Sequence, residues 1–159
     1  MDKLNTEILH KELDLIQACI NRMASNSFLI KGWMITLVAA LVALLADKVS
    51  VYVIVILAIV VVLGFWYLDG FFLKTEKLFR LKYEWVIEQR LKGNAEYLYD
   101  LNPYNSAMWK TPKYSEKSIF RVMFSTTLIP FYTLPLFLAV VSILWALIFP
   151  CSMLSPVMP

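Results

Sequence analysis

The side chains able to do chemistry are few in this sequence and lie far apart. It has one histidine, His10, and two cysteines, Cys19 and Cys151. On a helix, Glu7 and Asp14 would share the face of His10. That set offers at most a weak cation site, because no cysteine or second histidine completes a ligand group of the usual kind. His10 is therefore expected at the surface, and no metal is expected. Two cysteines are too few for a disulfide framework, and each is expected as a small buried apolar residue. No P-loop, GxGxxG, HExxH or GxSxG occurs, so the common nucleotide, metal and nucleophile motifs are missing. No arginine precedes His10, which removes the Arg-to-His spacing of one ribonuclease fold. Acids that could relay protons inside a bilayer reduce to Asp69, which is peripheral to its apolar run. The chain is read as having no enzymatic activity and no cofactor.

With catalysis set aside, the elements themselves carry the information. The chain has 159 residues, 60% of them hydrophobic and 17% charged. Soluble domains average about 45–50% apolar and about 25% charged residues. The excess sits in two blocks, 28–73 and 118–151, with the charges almost entirely outside them. That segregation predicts an all-α integral membrane protein, and the length suits a single membrane domain over 1–159. The net charge of +3 is too modest to suggest nucleic-acid binding. The first 27 residues are charged and amphipathic rather than a short basic start before an apolar run. No cleaved signal peptide is expected, and the first apolar helix should stay in the protein.

Three spans are predicted. The first is FLIKGWMITLVAALVALLA, 28–46, and the second VYVIVILAIVVVLGFWYLDGFFL, 51–73. About 20 helical residues cross a hydrocarbon core of roughly 30 Å. Asp47, Lys48, Val49 and Ser50 alone separate the two, which predicts a tight transmembrane hairpin. The valines and isoleucines of the second run would favour a strand in water, but in lipid a helix satisfies its own backbone. Lys31 and Asp69 then lie at similar depth, offset by roughly 4–5 Å. They could form an ion pair, or Lys31 could snorkel to the headgroups while Asp69 meets water. The third span is placed at 125–149. The run 136–149 is about 21 Å long and too short alone, so this helix must begin near Ser125 and tolerate Pro130 and Pro135, with a kink. Ser125, Thr126, Thr127 or Thr133 could meet carbonyls freed there. A re-entrant segment is the alternative.

Lysine and arginine counts set the orientation. Four lie up to Lys31, one in the turn at Lys48, ten from Lys74 to Arg121, and none after Phe149. Three crossings make these regions alternate between sides as the counts do. The N-terminus and the middle of the chain are expected in the cytoplasm, the turn and the C-terminal tail outside. Cys19 and Cys151 then fall on opposite sides and cannot pair.

The cytoplasmic parts are an amphipathic helix over 5–26, a helix continuing the second span over 74–93, and a loop over 94–117. The first carries Leu4, Ile8, Leu13, Ile16, Ile20 and Met23 at helical spacing. It either continues into the first span or bends at Ser25-Asn26-Ser27. The second carries Phe72, Phe79, Tyr83 and Val86 and stops at Gly93-Asn94. In the loop, NAEYLYDL could form a short helix, and Pro103 and Pro112 mark the rest as irregular. Tyr97, Tyr99, Tyr104, Trp109 and Tyr114 either make a contact surface for a partner or subunit or cap the helices at the membrane surface. Lys74, Lys77, Arg80 and Lys82 cluster where anionic inner-leaflet lipids would meet them.

An amphipathic helix thus leads into the hairpin LIKGWMITLVAALVALLADKVSVYVIVILAIVVVLGFWYLDGFF, followed by LKTEKLFRLKYEWV. Over residues 5–92 this layout resembles the bacterial SLATT-type effectors (SMODS- and SLOG-associating two-transmembrane proteins) and small membrane proteins of mobile elements. The third span departs from that two-span pattern. The resemblance implies a multi-pass protein of the bacterial inner membrane acting in antiviral, anti-phage defence. It would oligomerise and breach the membrane, pore-forming or otherwise, when a cytoplasmic sensor or nucleotide-signalling partner is triggered. One hairpin is too thin to enclose water, so several copies would be needed. Ala39, Ala40, Ala43 and Ala46 would let helices approach closely, within the chain or in a homo-oligomer. The expected partners are membrane lipids and further copies, with no direct nucleic-acid binding. A non-catalytic membrane anchor or assembly partner is the alternative, and a small channel subunit the next. No internal repeat is visible, which argues against an inverted-repeat transporter.

Overall fold

The structure, a computed structural model, describes residues 3–114 and 118–148. Cys151, the tail after Phe149 and the last residues of the 94–117 loop lie outside the described residues. Helix α1 runs Lys3–Leu45 and α2 runs Val51–Leu91. A short α3, Ser106–Trp109, and a 3-10 turn, Pro112–Tyr114, follow. Then come α4, Ile119–Met123, and α5, Ile129–Ile148. Among the described residues there is no strand. Helices α1, α2 and α5 are each long and apolar enough to cross a membrane, and the protein is accordingly a helical membrane protein.

At 43 and 41 residues, α1 and α2 are about 60–65 Å long, twice what a bilayer core needs. Helix α1 is unbroken through Ser25-Asn26-Ser27. These residues are poor helix formers by only a few tenths of a kcal/mol each, and the Ser27 hydroxyl is engaged by donating to the Asp69 carboxylate.

The described residues group into two compact units. The first takes the described residues of Met1–Leu29 and Asp69–Val122. Its core is Ile16, Ile20, Phe79, Trp85, Val86, Met108 and Tyr114, with Leu9, Leu13, Cys19 and Met23 packed on it. On α1 the positions 9, 13, 16, 20 and 23 form one helical stripe, and on α2 so do 78, 79, 82, 85 and 86. Contacts run in reverse order, Glu12 to Arg90 and Ser27 to Asp69, so the two helix segments pair antiparallel within this unit. Helix α2 ends in a Schellman motif. Asn94 N–H donates to the Gln89 carbonyl at 3.0 Å and Gly93 N–H to that of Arg90 at 3.0 Å, with Gly93 at φ +75°.

The second unit takes Ile30–Leu68 and the described residues from Met123 on. Lys48 and Val49 N–H groups bond back to the Leu45 carbonyl, and Val53 and Ile54 to that of Ser50, which closes the short link between α1 and α2. Trp66 holds α5 to α2. Its ring stacks on Tyr132 at 5.8 Å, and its indole N–H donates to the Met123 carbonyl at 3.0 Å. The third span begins at Ile129 rather than near Ser125. A turn at 125–128 precedes it, in which the Ser125 carbonyl accepts from Leu128 and Ile129. Pro130 thereby falls in the first turn, where its missing N–H costs nothing, and only Pro135 is interior. The Thr133 hydroxyl donates to the Ile129 carbonyl at 2.7 Å. Twenty residues give about 30 Å, so the helix needs no extension towards Ser125.

Candidate functional site

Glu12 lies on the apolar stripe of α1 and is 1% exposed, with Arg90 of α2 9% exposed beside it. The pair is a two-point fork: Arg90 Nε donates to Glu12 Oε2 at 2.9 Å and Nη2 to Oε1 at 2.8 Å. Arg90 Nη1 reaches the carbonyls of Asn94 and Glu96, and the Tyr99 N–H donates to Glu12 Oε1 at 2.9 Å. One buried ion pair thus ties together α1, the end of α2 and the loop behind it. Forks of this kind are the strong form of the charge-assisted hydrogen bond.

A second buried cation, Lys82, sits on the apolar stripe of α2 and is fully enclosed. Its Nζ donates to Asp100 Oδ2 at 2.8 Å and lies 4.8 Å from the centre of the Trp85 ring. Burial pushes the Asp100 carboxyl up, but bonds from Lys82, the Asn105 amide and the Asn102 N–H outweigh it and hold the group below its ordinary pKa. The loop is built of side chain to backbone turns. Asn94 accepts from Glu96 N–H, Asp100 from Asn102, Asn102 from Tyr104, and Asn105 from Ala107. Such Asx turns compete with helix, and this is why NAEYLYDL is not a helix. Tyr97 and Tyr99 instead have φ of 60° and 58°, a left-handed backbone that costs a non-glycine residue roughly 1–2 kcal/mol. Farther on, Lys113 donates to Glu88 at 2.6 Å and to the Tyr114 hydroxyl at 2.9 Å. These bonds raise the Lys113 pKa and lower that of Glu88.

The aromatic residues singled out in the loop divide. Tyr97, Tyr99 and Tyr104 are about two-fifths exposed, whereas Tyr114 is fully buried in the core. Tyr114 therefore offers no contact surface. Trp109 is half-buried, packs edge-on to Tyr104 at 5.8 Å, and its indole N–H is enclosed without an acceptor. The basic cluster divides too. Lys74, Lys77 and Arg80 line one cavity of about 240 Å³ floored by Leu78, Leu81 and Val122. Lys82 is turned away into the core, so its charge is spent on Asp100 and not on lipid. Arg80 also pairs with Glu76 at 2.7 Å, one helical turn back.

Asp69 is fully buried in the first unit and accepts from Ser27. Lys31 belongs to the second unit, where its Nζ lies 5.9 Å from the centre of the Phe131 ring. Ala39 and Ala43 on α1, and Ala46 just past its end, are exposed, and Ala40 is half-buried. His10 is exposed, and among the described residues no three His, Cys, Asp or Glu side chains gather as a cation site. Cys19 is a half-buried free thiol against the first unit's core. The clamp formed by Glu12 and Arg90, and the bond between Lys82 and Asp100, were not foreseen from sequence. The signal was present: Glu12 and Lys82 each occupy a position of the apolar stripe that a charge enters only with a partner.

Among the described residues the first unit thus offers two buried ion pairs, three exposed tyrosines and a cavity walled by cations. Compared with models of known protein families, with characterised proteins and with solved structures, the chain matches none.

Proposed function

We propose that the protein is a non-catalytic, oligomeric effector of the bacterial inner membrane. It has three spans, a hairpin of α1 and α2 followed by a Pro135-kinked α5. Its N-terminus and the part of the first unit beyond Leu73 lie in the cytoplasm, and its link and C-terminal tail outside. In an anti-phage system, a cytoplasmic sensor or nucleotide-signalling partner would engage the first unit, and assembled spans would perturb the membrane. The observation that carries this reading is how little one copy covers its own spans. In the most apolar stretches of α1, α2 and α5, 6%, 22% and 11% of residues are buried. Ala39 and Ala43 are among those left open on α1, and small residues are where membrane helices approach closely.

The deciding experiment is induced expression with and without a triggering partner, read by a membrane-potential dye and by cross-linking in intact cells. Depolarisation with cross-linked multimers on triggering is expected. A monomer that leaves the potential unchanged after triggering overturns the reading. A second reading, a passive membrane anchor for a complex, is favoured by the absence of a polar stripe along the described spans. It predicts co-purification with a partner and no depolarisation. Steady ion flux in liposomes without a trigger would instead mark a small channel subunit.

A further inference from the structure

The cavity walled by Lys74, Lys77 and Arg80 has no part in the effector reading. We infer that it seats the headgroup of one bound anionic phospholipid, phosphate on the cations, glycerol and first methylenes over Leu78, Leu81 and Val122. The inference rests on α2 crossing a bilayer and is independent of what the protein does there.

Three features on one helix converge. The cations recur every third residue, so they share a face of α2. The floor is apolar, with Leu78 and Val122 each 2% exposed, which suits an amphiphile and gives a free phosphate nothing. The depth is right as well. The apolar run of α2 ends at Leu73, and Lys74, Lys77 and Arg80 follow about 1.5, 6 and 10 Å along the axis. A headgroup layer extends roughly 5–7 Å beyond the hydrocarbon on each side, and long basic side chains reach back to it. Arg80 keeps its guanidinium largely exposed, at 63%, while its Nε and Nη2 engage Glu76, which leaves Nη1 for a phosphate oxygen. The cavity of about 240 Å³ is far above the roughly 10–15 Å³ that admits one water, which leaves room for a headgroup phosphate. Arg121, exposed beside Val122 in sequence, adds a fourth cation to this stretch.

The test is native mass spectrometry of the full chain in detergent, titrated with short-chain phosphatidylglycerol, phosphatidylcholine of the same tails, or inorganic phosphate. Phosphatidylglycerol should bind as a single retained adduct, at least tenfold tighter than phosphatidylcholine. Surface cations near a membrane are worth enough that K77Q should weaken it about fivefold and K74Q/K77Q about 30-fold. The charge-matched K48Q/K110Q, on exposed residues that do not line the cavity, should leave it unchanged. Equal affinity for the two lipids, or equal loss in both double variants, overturns the inference. So does inorganic phosphate displacing phosphatidylglycerol at matched concentration, since a soluble anion would then be the occupant. An unchanged thermal midpoint of K77Q establishes that its loss is local.

Discussion

Replacing Arg90 by leucine should open the first unit without touching the spans. The substitution strands Glu12, 1% exposed, with one remaining donor, the Tyr99 N–H. It also releases the carbonyls of Asn94 and Glu96. Removing one partner of a buried ion pair costs about 3–5 kcal/mol, because the other charge stays buried. That is a factor of about 10² to 10⁴ in the opening equilibrium. Cys19, packed against the same core, reports opening directly. In a C151S background it is the sole thiol, and its alkylation rate in detergent follows the open population while reclosing is fast. R90L should accelerate alkylation by at least two orders of magnitude. E12L/R90L should recover much of that loss, because an apolar pair leaves no buried charge. An R90L rate within a few fold of wild type, or a double variant worse than the sum of the singles, would refute the clamp as the brace of this unit.

Acid should weaken the same unit by a different route. Asp100 has a folded pKa below its unfolded value of about 4, so it contributes stability above that value and loses it as pH falls through the folded pKa. Cys19 protection should therefore drop below about pH 4, and D100N should be less stable at neutral pH but flatter in acid. At Tyr99, φ is 58°. Asparagine tolerates that backbone and valine does not, so Y99N should be neutral to about 1 kcal/mol more stable and Y99V about 1–2 kcal/mol less, read by thermal unfolding in detergent. A valine variant as stable as wild type would contradict this. Gly93 has φ +75° and open space where a Cβ would stand. G93A should therefore cost about 1 kcal/mol purely through the backbone. A Cβ at Gly32 or Gly64 also meets open space, so G32A and G64A should leave one copy's stability intact. Loss of cross-linked multimers in either would place that glycine at a contact between copies.

The all-helical character and the three long apolar helices were legible because lipid leaves few choices. Runs of some 20 apolar residues must be helical to satisfy their backbone, and composition alone locates them. What escaped lies where charge enters an apolar stripe. Lys82 reads as one more membrane-facing cation until its register is laid beside Leu78, Phe79, Trp85 and Val86. Its partner Asp100 is 18 residues away across a loop with no periodicity. Glu12 and Arg90 are 78 positions apart, and no local pattern connects them. Run length points to a helix starting near Ser125 with both prolines interior, whereas α5 starts at Ile129. One of them, Pro130, is a first-turn residue, and its position depends on a turn at Ser125 that apolar run length does not reveal.

If the first unit is cytoplasmic, as proposed, the buried pairs also bear on how it would stay off the membrane surface. The stripes of α1 and α2 in the first unit, with Ile16, Ile20, Phe79 and Val86, are apolar enough to lie along a bilayer surface instead of on each other. Apolar burial alone does not separate the two arrangements, since lipid and protein interior are similar solvents for these side chains. Charges do separate them. Glu12 and Lys82 point from the apolar stripes, and flattened on a membrane each would enter the acyl region without its partner. In the folded unit Arg90 and Asp100 meet them with charge-assisted hydrogen bonds. Replacing both pairs by apolar residues would then remove the penalty on the membrane-bound alternative while leaving no unpaired charge in the folded unit. E12L/R90L/K82M/D100L should stay folded in detergent, with a thermal midpoint between those of R90L and wild type. In vesicles, however, its first unit should become accessible to a lipid-confined quencher of Trp85 fluorescence. If the quadruple variant were quenched no more than wild type, apolar contact by itself would be what holds these helices together.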